Sequence, residues 1–396
     1  MKQITGLFKK VIGPAAAILL TAGLLCEIVL RISGISYLPF YQYDECCGYS
    51  LRPGYEGWFR DEGESYIRIT KNGLRDRERQ IEKPENTLRI AVFGDSCVEA
   101  VQVPLEQTFC QVMEKELAAS GAKKIEVINF GVGGYGTTNE LLLLKFKGWR
   151  YSPDIVVLCV TTANDLLDNI GRYHQYQEIL NYYQGSNDYF DLKYIKYNLK
   201  VTALKIREFF LCHLRLVQAF VKIKNEIEKR VLLAYHQDKM LHPLLEEAGI
   251  KNEIYQEPTT NFWQEAWSVT EKLILEMRDE VHRRGVEFLV VTMVNSPQCY
   301  PDAGIRQEFL KLLNLTDLFY PDYRIKKLGE REGFEVLNLA PLFQEYADKH
   351  QVFLTGFKNS RLPGRGHWNA AGHRLAGKIL ARKFHRKMEQ DGRGLN

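Results

Sequence analysis

The chain has 396 residues, of which 45% are hydrophobic and 26% are charged, and its formal net charge is +4. This is the composition of a globular protein with enough apolar residues for a substantial core. The small net charge, without Lys/Arg runs interleaved with aromatics, excludes a typical nucleic-acid-binding protein. Eight cysteines are scattered along the chain without a Cys-x-x-Cys pair, which argues against a zinc site.

An apolar run near the N-terminus predicts a membrane anchor. Residues 11–30 contain a single charge, Glu27, and a helix of about twenty apolar residues crosses a bilayer. The basic residues Lys2, Lys9 and Lys10 precede the run, and the positive-inside tendency places them in the cytoplasm. We therefore predict an anchor in residues 1–35 of a single-pass protein of the cytoplasmic (inner) membrane, with residues 36–390 outside the cytoplasm.

The main alternative for this segment is a cleaved signal peptide. The apolar run is long for a signal peptide, and no small-x-small cleavage site follows it. A lipoprotein cleavage site before Cys26 would need a small residue where Leu25 stands. The sequence therefore favours an anchor that is retained.

Strand and helix patterns alternate after a polar stretch from residue 37 to residue 84, in which residues 65–70 form one short predicted strand. The predicted strands of the main pattern are 88–93, 125–130, 155–160, 286–294 and 334–339. The predicted helices are 106–119, 138–149, 262–284, 305–313 and 369–383. This alternation predicts a three-layer, doubly wound α/β fold with a mainly parallel five-stranded sheet. Residues 166–257, with one long helical stretch at 205–234, are predicted to form a helical insertion.

The first strand of the sheet ends in Gly94-Asp95-Ser96. A serine between a strand and a helix exposes its hydroxyl and has a free backbone N–H, and a nucleophilic serine needs both. The tripeptide alone is also explained by a serine that caps the next helix. Cys97 follows Ser96 and is an alternative nucleophile, through its thiol.

The second strand ends in a glycine-rich turn at residues 131–136, which matches G-x-G-x-x-G. That pattern raises a dinucleotide-binding alternative. Two features disfavour it. The turn follows the second strand instead of the first, and Asp154, at the expected spacing for a ribose contact, begins its strand. A glycine turn whose amide points at a developing oxyanion is the better interpretation.

Two further polar residues are candidates for the same site. Asn164 follows the third strand, where its side-chain amide could donate to an oxyanion, although an isolated Asn-Asp pair is more often an Asx turn. His367 lies in a loop before the last predicted helix and could approach Ser96. His373 is predicted to lie within that helix, as a surface or packing residue.

These features together resemble the SGNH/GDSL hydrolase superfamily, in particular its membrane-anchored bacterial members, over roughly residues 40–385 apart from the insertion. The motifs that carry the resemblance are Phe93-Gly94-Asp95-Ser96, Asn129-x-Gly-Val-x-Gly-Tyr-Gly-Thr, Asn164-Asp165 and Gly366-His367-Trp368-Asn369-Ala370-Ala371-Gly372-His373, preceded by Gly48-Tyr49-Ser50-Leu51-Arg52-Pro53-Gly54 and Asn72-Gly73-Leu74-Arg75-Asp76. The resemblance implies a flavodoxin-like SGNH fold. It also implies that Ser96 is the nucleophile, that His367 is the base, and that the Ser96 and Gly134 amides with the Asn164 side chain form the oxyanion hole.

The resemblance also implies the activity. It points to a serine esterase or O-acyltransferase that acts on acylated cell-surface carbohydrate through an acyl-enzyme, without a metal or an organic cofactor. The predicted partners are this ester substrate and, through the N-terminal helix, the membrane. The sequence identifies no protein partner.

The sequence departs from the superfamily beside the histidine. An aspartate usually stands two or three residues before it, but here the positions hold Gly364 and Arg365. An adjacent arginine would lower the pKa of His367. Three alternatives follow: a Ser-His dyad oriented by a backbone carbonyl, a distant carboxylate such as Asp165 or Asp168, or a degenerate protein that binds or helps assemble polysaccharide without turnover.

Overall fold

The computed structural model describes residues 13–119, 124–171, 192–237, 250–358 and 364–390. The chain forms two compact units. The first unit contains the described residues of Met1–Glu45 and Asn187–Lys239, and the second contains those of Cys46–Ser186 and Met240–Asn396. The boundary after residue 35 and the insertion at 166–257 stay predictions, and part of that insertion lies outside the described residues.

Nine strands and eleven α-helices are defined in the described residues. The strands are β1 (Tyr41–Asp44), β2 (Gly48–Leu51), β3 (Glu56–Phe59), β4 (Ser65–Arg68), β5 (Thr87–Gly94), β6 (Lys124–Gly131), β7 (Ile155–Val160), β8 (Glu287–Thr292) and β9 (Glu335–Asn338). The helices are α1 (Gly13–Ile32), α2 (Ser96–Glu99), α3 (Phe109–Ala118), α4 (Thr137–Phe146), α5 (Leu192–His213), α6 (Arg215–Gln237), α7 (Asn261–His282), α8 (Ala303–Leu313), α9 (Tyr320–Glu332), α10 (Ala340–His350) and α11 (Ala370–Gln390).

The first unit is built from α1, α5, α6 and β1. Within α1, Pro14–Ile32 has a mean hydropathy of 2.1, and none of its residues is buried. Among the described residues, α1 is the one helix long and apolar enough to cross a membrane, a property that signal sequences share. The single helix predicted at 205–234 is in fact two helices, since the helical geometry is interrupted at Leu214.

The second unit contains a five-stranded parallel sheet with the order β6-β5-β7-β8-β9. Numbered along the chain, these strands lie in the order 2-1-3-4-5, which is the flavodoxin-like arrangement. The predicted fold class is confirmed. In this topology the strand order reverses between β5 and β7, and ligand sites form at such a switch point, outside the carboxyl ends of the strands.

Helices cover both faces of the sheet. One face packs its apolar side chains against α3, α10 and α11, with Phe109, Phe343 and Leu380 fully or almost fully buried in this layer. The other face carries α4, α7 and α9, and Trp267 of α7 is buried there. Because both faces are covered, every residue of β7 is buried, which explains its uninterrupted apolar sequence.

The sequence pattern does not predict two helices of this unit, α9 and α10. Charged residues and Gly329 interrupt the apolar pattern of α9, and its buried positions include Asp322. Its apolar stripe is therefore too short to predict a helix with confidence from periodicity. The helix α10 follows β9 with only Leu339 between them, so the boundary between the two patterns is not visible in the sequence.

A small antiparallel hairpin lies outside the main sheet. The strand β3 pairs with β4, and the last pair of the register joins Phe59 to Ser65. The intervening residues 60–64 form the loop of the hairpin. The start of β4 agrees with the strand predicted from residue 65.

Candidate active site

Ser96 lies at the carboxyl end of β5, where the strand turns into the short helix α2. The carboxylate of Asp95 caps this helix, because its Oδ1 accepts a hydrogen bond of 2.9 Å from the Cys97 amide. Gly94 is required at this turn, since a Cβ there would overlap the Val98 side chain. Ser96 itself is half-buried, so its hydroxyl is held at the strand end and still reaches the surface.

His367 comes to this serine from the far end of the chain. Its Nε2 lies 2.9 Å from the Ser96 Oγ. The loop that carries it is fixed on both sides: the His367 carbonyl accepts from the Gly356 amide, and the Asn369 Oδ1 accepts from the Ala371 amide at the start of α11. The structure therefore brings together the two residues predicted as nucleophile and base.

Glu62 is the carboxylate that holds this histidine. Its Oε2 lies 2.5 Å from the Nδ1 of His367, and its Oε1 accepts from the His367 backbone N–H at 2.9 Å. Two contacts to one carboxylate fix the orientation of the ring and favour the tautomer with the proton on Nδ1. The Nε2 is then the acceptor for the Ser96 hydroxyl, which is the arrangement of a Ser-His-acid triad.

The β3–β4 hairpin delivers Glu62 through its loop. A Cβ at Gly366 would overlap the Glu62 carboxylate, and Gly366 has a φ of +93°, which a residue with a side chain rarely adopts. On the other side of the loop, a Cβ at Gly63 would overlap the Gln102 carbonyl oxygen. The Ser65 hydroxyl donates to the Val101 carbonyl. These close approaches seat the hairpin loop against the body of the unit.

The environment of His367 favours its protonated form. Burial lowers the pKa of His367, but the hydrogen bond and the negative charge of Glu62 outweigh it, so the pKa is raised from its ordinary value. The expected lowering by Arg365 is wrong. The Arg365 side chain is buried, and a carboxylate that the sequence analysis did not consider dominates the electrostatics of the ring.

Glu62 also replaces the two residues suggested as distant carboxylates. The Asp165 Oδ2 accepts from the Thr161 amide at 2.8 Å, and the Asp168 Oδ2 accepts from the Asn164 side chain. Glu62 lies 305 positions before His367 in the chain, in an acidic turn between two short strands. That turn carries no local signal of catalysis, since surface hairpins commonly hold such residues.

The predicted oxyanion donors are arranged around the same strand ends. The Asn164 Nδ2 donates to the Asp95 Oδ2 and to the Asp168 Oδ2, each at 3.3 Å, so its amide is tied to the residue that precedes Ser96. Gly134 follows β6, the neighbour of β5, and has a φ of +73°. The Tyr49 hydroxyl braces this turn by donating to the Gly133 carbonyl. The oxyanion role of Gly134 and Asn164 stays a prediction.

Three further carboxyls, Asp95, Glu140 and Asp165, are at most 1% exposed. Burial raises the pKa of Glu140 and of Asp165 well above the ordinary range, and the neighbouring negative charges raise both further. Burial also raises the pKa of the Cys97 thiol. Because a thiolate is the nucleophilic form of cysteine, Cys97 is a poor competitor of Ser96.

Two other residues considered in the sequence, Asp154 and His373, lie outside the line formed by Ser96, His367 and Glu62. Asp154 precedes β7 and accepts from the Arg89 amide and from Lys83, so it lies at the amino ends of the strands, away from the glycine turn. His373 lies within α11, is 1% exposed and stacks on Phe109, and burial lowers its pKa to about 3. The packing role of His373 is therefore confirmed.

Comparison with known proteins finds no matching family model and no matching curated protein. Solved structures resemble the chain at low identity. A putative lipolytic protein of the G-D-S-L family from Desulfitobacterium hafniense is 10% identical, with 74% of this chain and 98% of that chain covered and a TM-score of 0.34. An acetylxylan esterase from Geobacillus stearothermophilus is 13% identical, with 76% and 94% covered and a TM-score of 0.35.

A third neighbour is a lipase/acylhydrolase from Enterococcus faecalis, which is 14% identical, with 76% of this chain and 96% of that chain covered and a TM-score of 0.36. At such identities these likenesses concern the fold alone. The functional interpretation therefore depends on the site of this chain, in which Ser96, His367 and Glu62 form one hydrogen-bonded line.

Proposed function

We propose that this chain is a serine esterase or O-acyltransferase of the SGNH type that acts on acylated cell-surface carbohydrate. The observation that carries the proposal is the line from the Glu62 carboxylate through His367 to the Ser96 hydroxyl, with distances of 2.5 Å and 2.9 Å. Such a line activates a serine that is otherwise a weak nucleophile. The substrate class comes from the resemblance of the sequence motifs.

The chemistry follows from the roles of these groups. The Ser96 Oγ attacks the acyl carbon while its proton passes to the Nε2 of His367, and the resulting imidazolium returns that proton to the leaving alcohol. The acyl group remains on Ser96. Water or a sugar hydroxyl then attacks the acyl-enzyme, with His367 as the base, so hydrolysis and transfer share the first half-reaction. Glu62 stabilises the imidazolium formed in each half.

The negative oxygen of the tetrahedral intermediate needs donors that are already in place. We assign this role to the Ser96 and Gly134 amides and to the Asn164 side chain. The carboxylates of Asp95 and Asp168 accept from the Asn164 amide, which holds its orientation before substrate arrives. An oxyanion within reach of the Asn164 side chain would accept from the same N–H groups as the Asp95 and Asp168 carboxylates.

The alternative of a degenerate, polysaccharide-binding protein rested on the missing aspartate before His367. Glu62 supplies a carboxylate at the Nδ1 of the imidazole, so the reason for that alternative no longer applies. The His367 side chain is 32% exposed and that of Glu62 is 21% exposed, so the site is accessible to a substrate. We therefore retain the enzyme as the proposal.

The test uses the full-length chain in detergent, with a serine-reactive fluorophosphonate and p-nitrophenyl acetate. We expect Ser96→Ala to abolish labelling and to lower the hydrolysis rate by about 10⁴-fold or more. The matched control is Ser268→Ala, which changes an exposed serine on α7 and should leave both readouts unchanged. Equal labelling and equal rates for Ser96→Ala and wild type would overturn the enzyme proposal.

The cellular location is proposed separately. We propose that α1 remains attached as a membrane anchor and that the site faces the outside of the cytoplasmic membrane. Its support is the exposed apolar segment Pro14–Ile32 with lysines before it. The mass of the mature chain and its retention in carbonate-washed membranes test the anchor. A shortened, carbonate-soluble chain would show that the segment is a cleaved signal peptide.

A further inference from the structure

An exposed apolar stripe runs along α6 in the first unit. Its members recur every three or four positions, so they lie on one face of the helix. They are Leu216, Phe220, Ile223, Ile227 and Val231, between 41% and 69% exposed. On α5, Ile206, Phe209 and Phe210 are exposed as well. Isolated exposed apolar residues are normal, but a continuous stripe of this size indicates an interaction surface.

The junction of α5 and α6 is fastened to the end of α1 by polar contacts. The Glu27 Oε1 accepts from the Arg215 amide at 3.1 Å, and its Oε2 accepts from the Leu216 amide at 2.8 Å. A carboxylate at the first turn of a helix satisfies its free N–H groups and opposes its dipole. Arg31 donates both to Glu27 and to the His213 carbonyl. The two charges near the end of α1 therefore hold the junction of α5 and α6, two consecutive helices that meet at Leu214 and are together called the α5–α6 hairpin.

Further contacts extend this attachment beyond α1. The Gln218 Oε1 accepts from the Ser36 hydroxyl at 3.0 Å and from the Tyr37 amide at 3.1 Å. Lys205 of α5 pairs with Glu45. The hairpin is thus joined to the chain that leaves α1, and its position relative to the end of α1 is set by side chains from both helices.

The apolar surface of the hairpin continues that of α1. A Cβ at Gly23 would lie 3.7 Å from the Leu216 side chain, so the first member of the α6 stripe is next to the apolar helix. On α1, Val29 and Ile32 are 63% and 83% exposed. If α1 lies in a bilayer, Leu216 therefore contacts its apolar span about one turn before Glu27, and the α6 stripe begins there.

The charge of the hairpin favours an anionic surface. The sequences of α5 and α6 contain ten Lys or Arg residues and three Glu, although the whole chain has a net charge of only +4. The rest of the chain is left with a small acidic excess. These charges also prevent α6 from crossing a bilayer, but they suit a helix that lies in the headgroup region.

We propose that the α5–α6 hairpin lies flat on the anionic bilayer surface at the outer end of α1, with the α6 stripe inserted at the boundary between headgroups and acyl chains. The lysines and arginines would contact anionic headgroups. This inference rests on the proposed anchor. A bilayer is favoured over a second copy or another protein because the stripe is contiguous with α1 and the hairpin is strongly basic.

The test is photocrosslinking of the full-length chain in lipid nanodiscs that contain about a third phosphatidylglycerol. Benzoylphenylalanine replaces Phe220 on the stripe or, as the matched control, exposed Lys222 on the opposite face of α6. We expect lipid adducts at position 220 to exceed those at position 222 about fivefold or more, and to decrease in nanodiscs of phosphatidylcholine alone. Equal lipid adducts at both positions, or crosslinks at 220 to a second copy or another protein, would overturn the proposal.

Two readouts on the same sample separate this inference from the proposals on which it depends. Fluorophosphonate labelling of Ser96 reports the enzyme, and the mass of the reconstituted chain reports whether α1 is retained. If both are intact and position 220 gives no lipid adduct, the hairpin proposal alone fails. The variant Arg230→Glu, which reverses an exposed charge, should lower the adduct yield at 220 and leave Ser96 labelling unchanged.

Discussion

In the second unit, the carboxyl of Glu62 differs from those of Glu140 and Asp165 in exposure and in hydrogen-bond partners. Glu62 is partly exposed, and both of its oxygens contact His367. Glu140 and Asp165 are fully buried, and both Glu140 oxygens and the Asp165 Oδ1 have no hydrogen-bond partner among the described residues. A carboxylate beside an imidazole stabilises the imidazolium, whereas burial without a partner penalises the charge.

This difference separates the acid that contacts the imidazole from the acids whose charge is penalised by burial. Burial, reinforced by neighbouring negative charges, raises the pKa values of Glu140 and Asp165 well above the ordinary range. Glu62 contacts the histidine directly through both carboxylate oxygens. Glu62 therefore orients the imidazole ring, whereas Glu140 and Asp165 contribute mainly to how the stability of the protein depends on pH.

Within this comparison, the largest expected effect on the hydrolysis rate is that of Glu62→Gln, which tests the role of the partly exposed carboxyl. An amide keeps the size of the side chain but cannot stabilise the imidazolium, and loss of a triad carboxylate costs about 10³- to 10⁴-fold in rate. Because Glu62 raises the pKa of His367, and because His367 must be neutral to act as the base, the acid limb of kcat/KM should also move to lower pH. A pH profile of p-nitrophenyl acetate hydrolysis measures both changes.

The control for this variant is Glu64→Gln, in the same hairpin loop. The Glu64 side chain is 59% exposed and pairs with Arg60 in the same loop, so rate and pH profile should stay as in wild type. If Glu62→Gln keeps the wild-type rate and acid limb, Glu62 is not the acid of a triad.

A smaller effect is expected from Asn164→Ala. Removing one oxyanion donor costs on the order of 10²- to 10³-fold in kcat, while KM should change little, because this donor acts mainly in the transition state. Steady-state kinetics of the full-length chain separate the two constants. A rise in KM at constant kcat would instead assign Asn164 to ground-state binding and would remove it from the oxyanion hole.

The smallest effect on activity, and the one that tests the buried group, is expected from Glu140→Gln. A carboxyl whose pKa is raised in the folded state stabilises the protein only at low pH, and this contribution is lost as the pH rises, by at most about 1.4 kcal/mol per pH unit. The glutamine does not titrate. The variant should therefore gain stability relative to wild type as the pH rises above about 4.5, the ordinary pKa value for a glutamate, as measured by thermal unfolding midpoints in detergent.

Glu265→Gln, at an exposed position on α7, is the control for that measurement and should follow the pH dependence of wild type. Ser96 labelling should persist in both variants. A Glu140→Gln protein whose midpoint falls with pH as steeply as that of wild type would mean that Glu140 does not hold its proton in the folded state.

The sequence by itself determined the features that depend on neighbours in the chain. The buried apolar runs predicted all five strands of the parallel sheet, because strands covered on both faces need apolar residues throughout. The turns after these strands indicated Ser96 and Asn164, and the loop before the last helix indicated His367. Strand ends at the carboxyl edge of such a sheet are adjacent in space, so their proximity was predictable as well.

Only the tertiary structure decided which acid serves His367, and why Glu27 interrupts an otherwise apolar helix. Glu62 is one of several acids in a polar turn, and its partner lies 305 positions away. Glu27 caps α6 from 188 positions away in the chain. Charge–charge and hydrogen-bond interactions depend on distance in space, and a sequence pattern records only distance along the chain. A carboxylate that completes a site from another part of the fold therefore has no signature until the chain is folded.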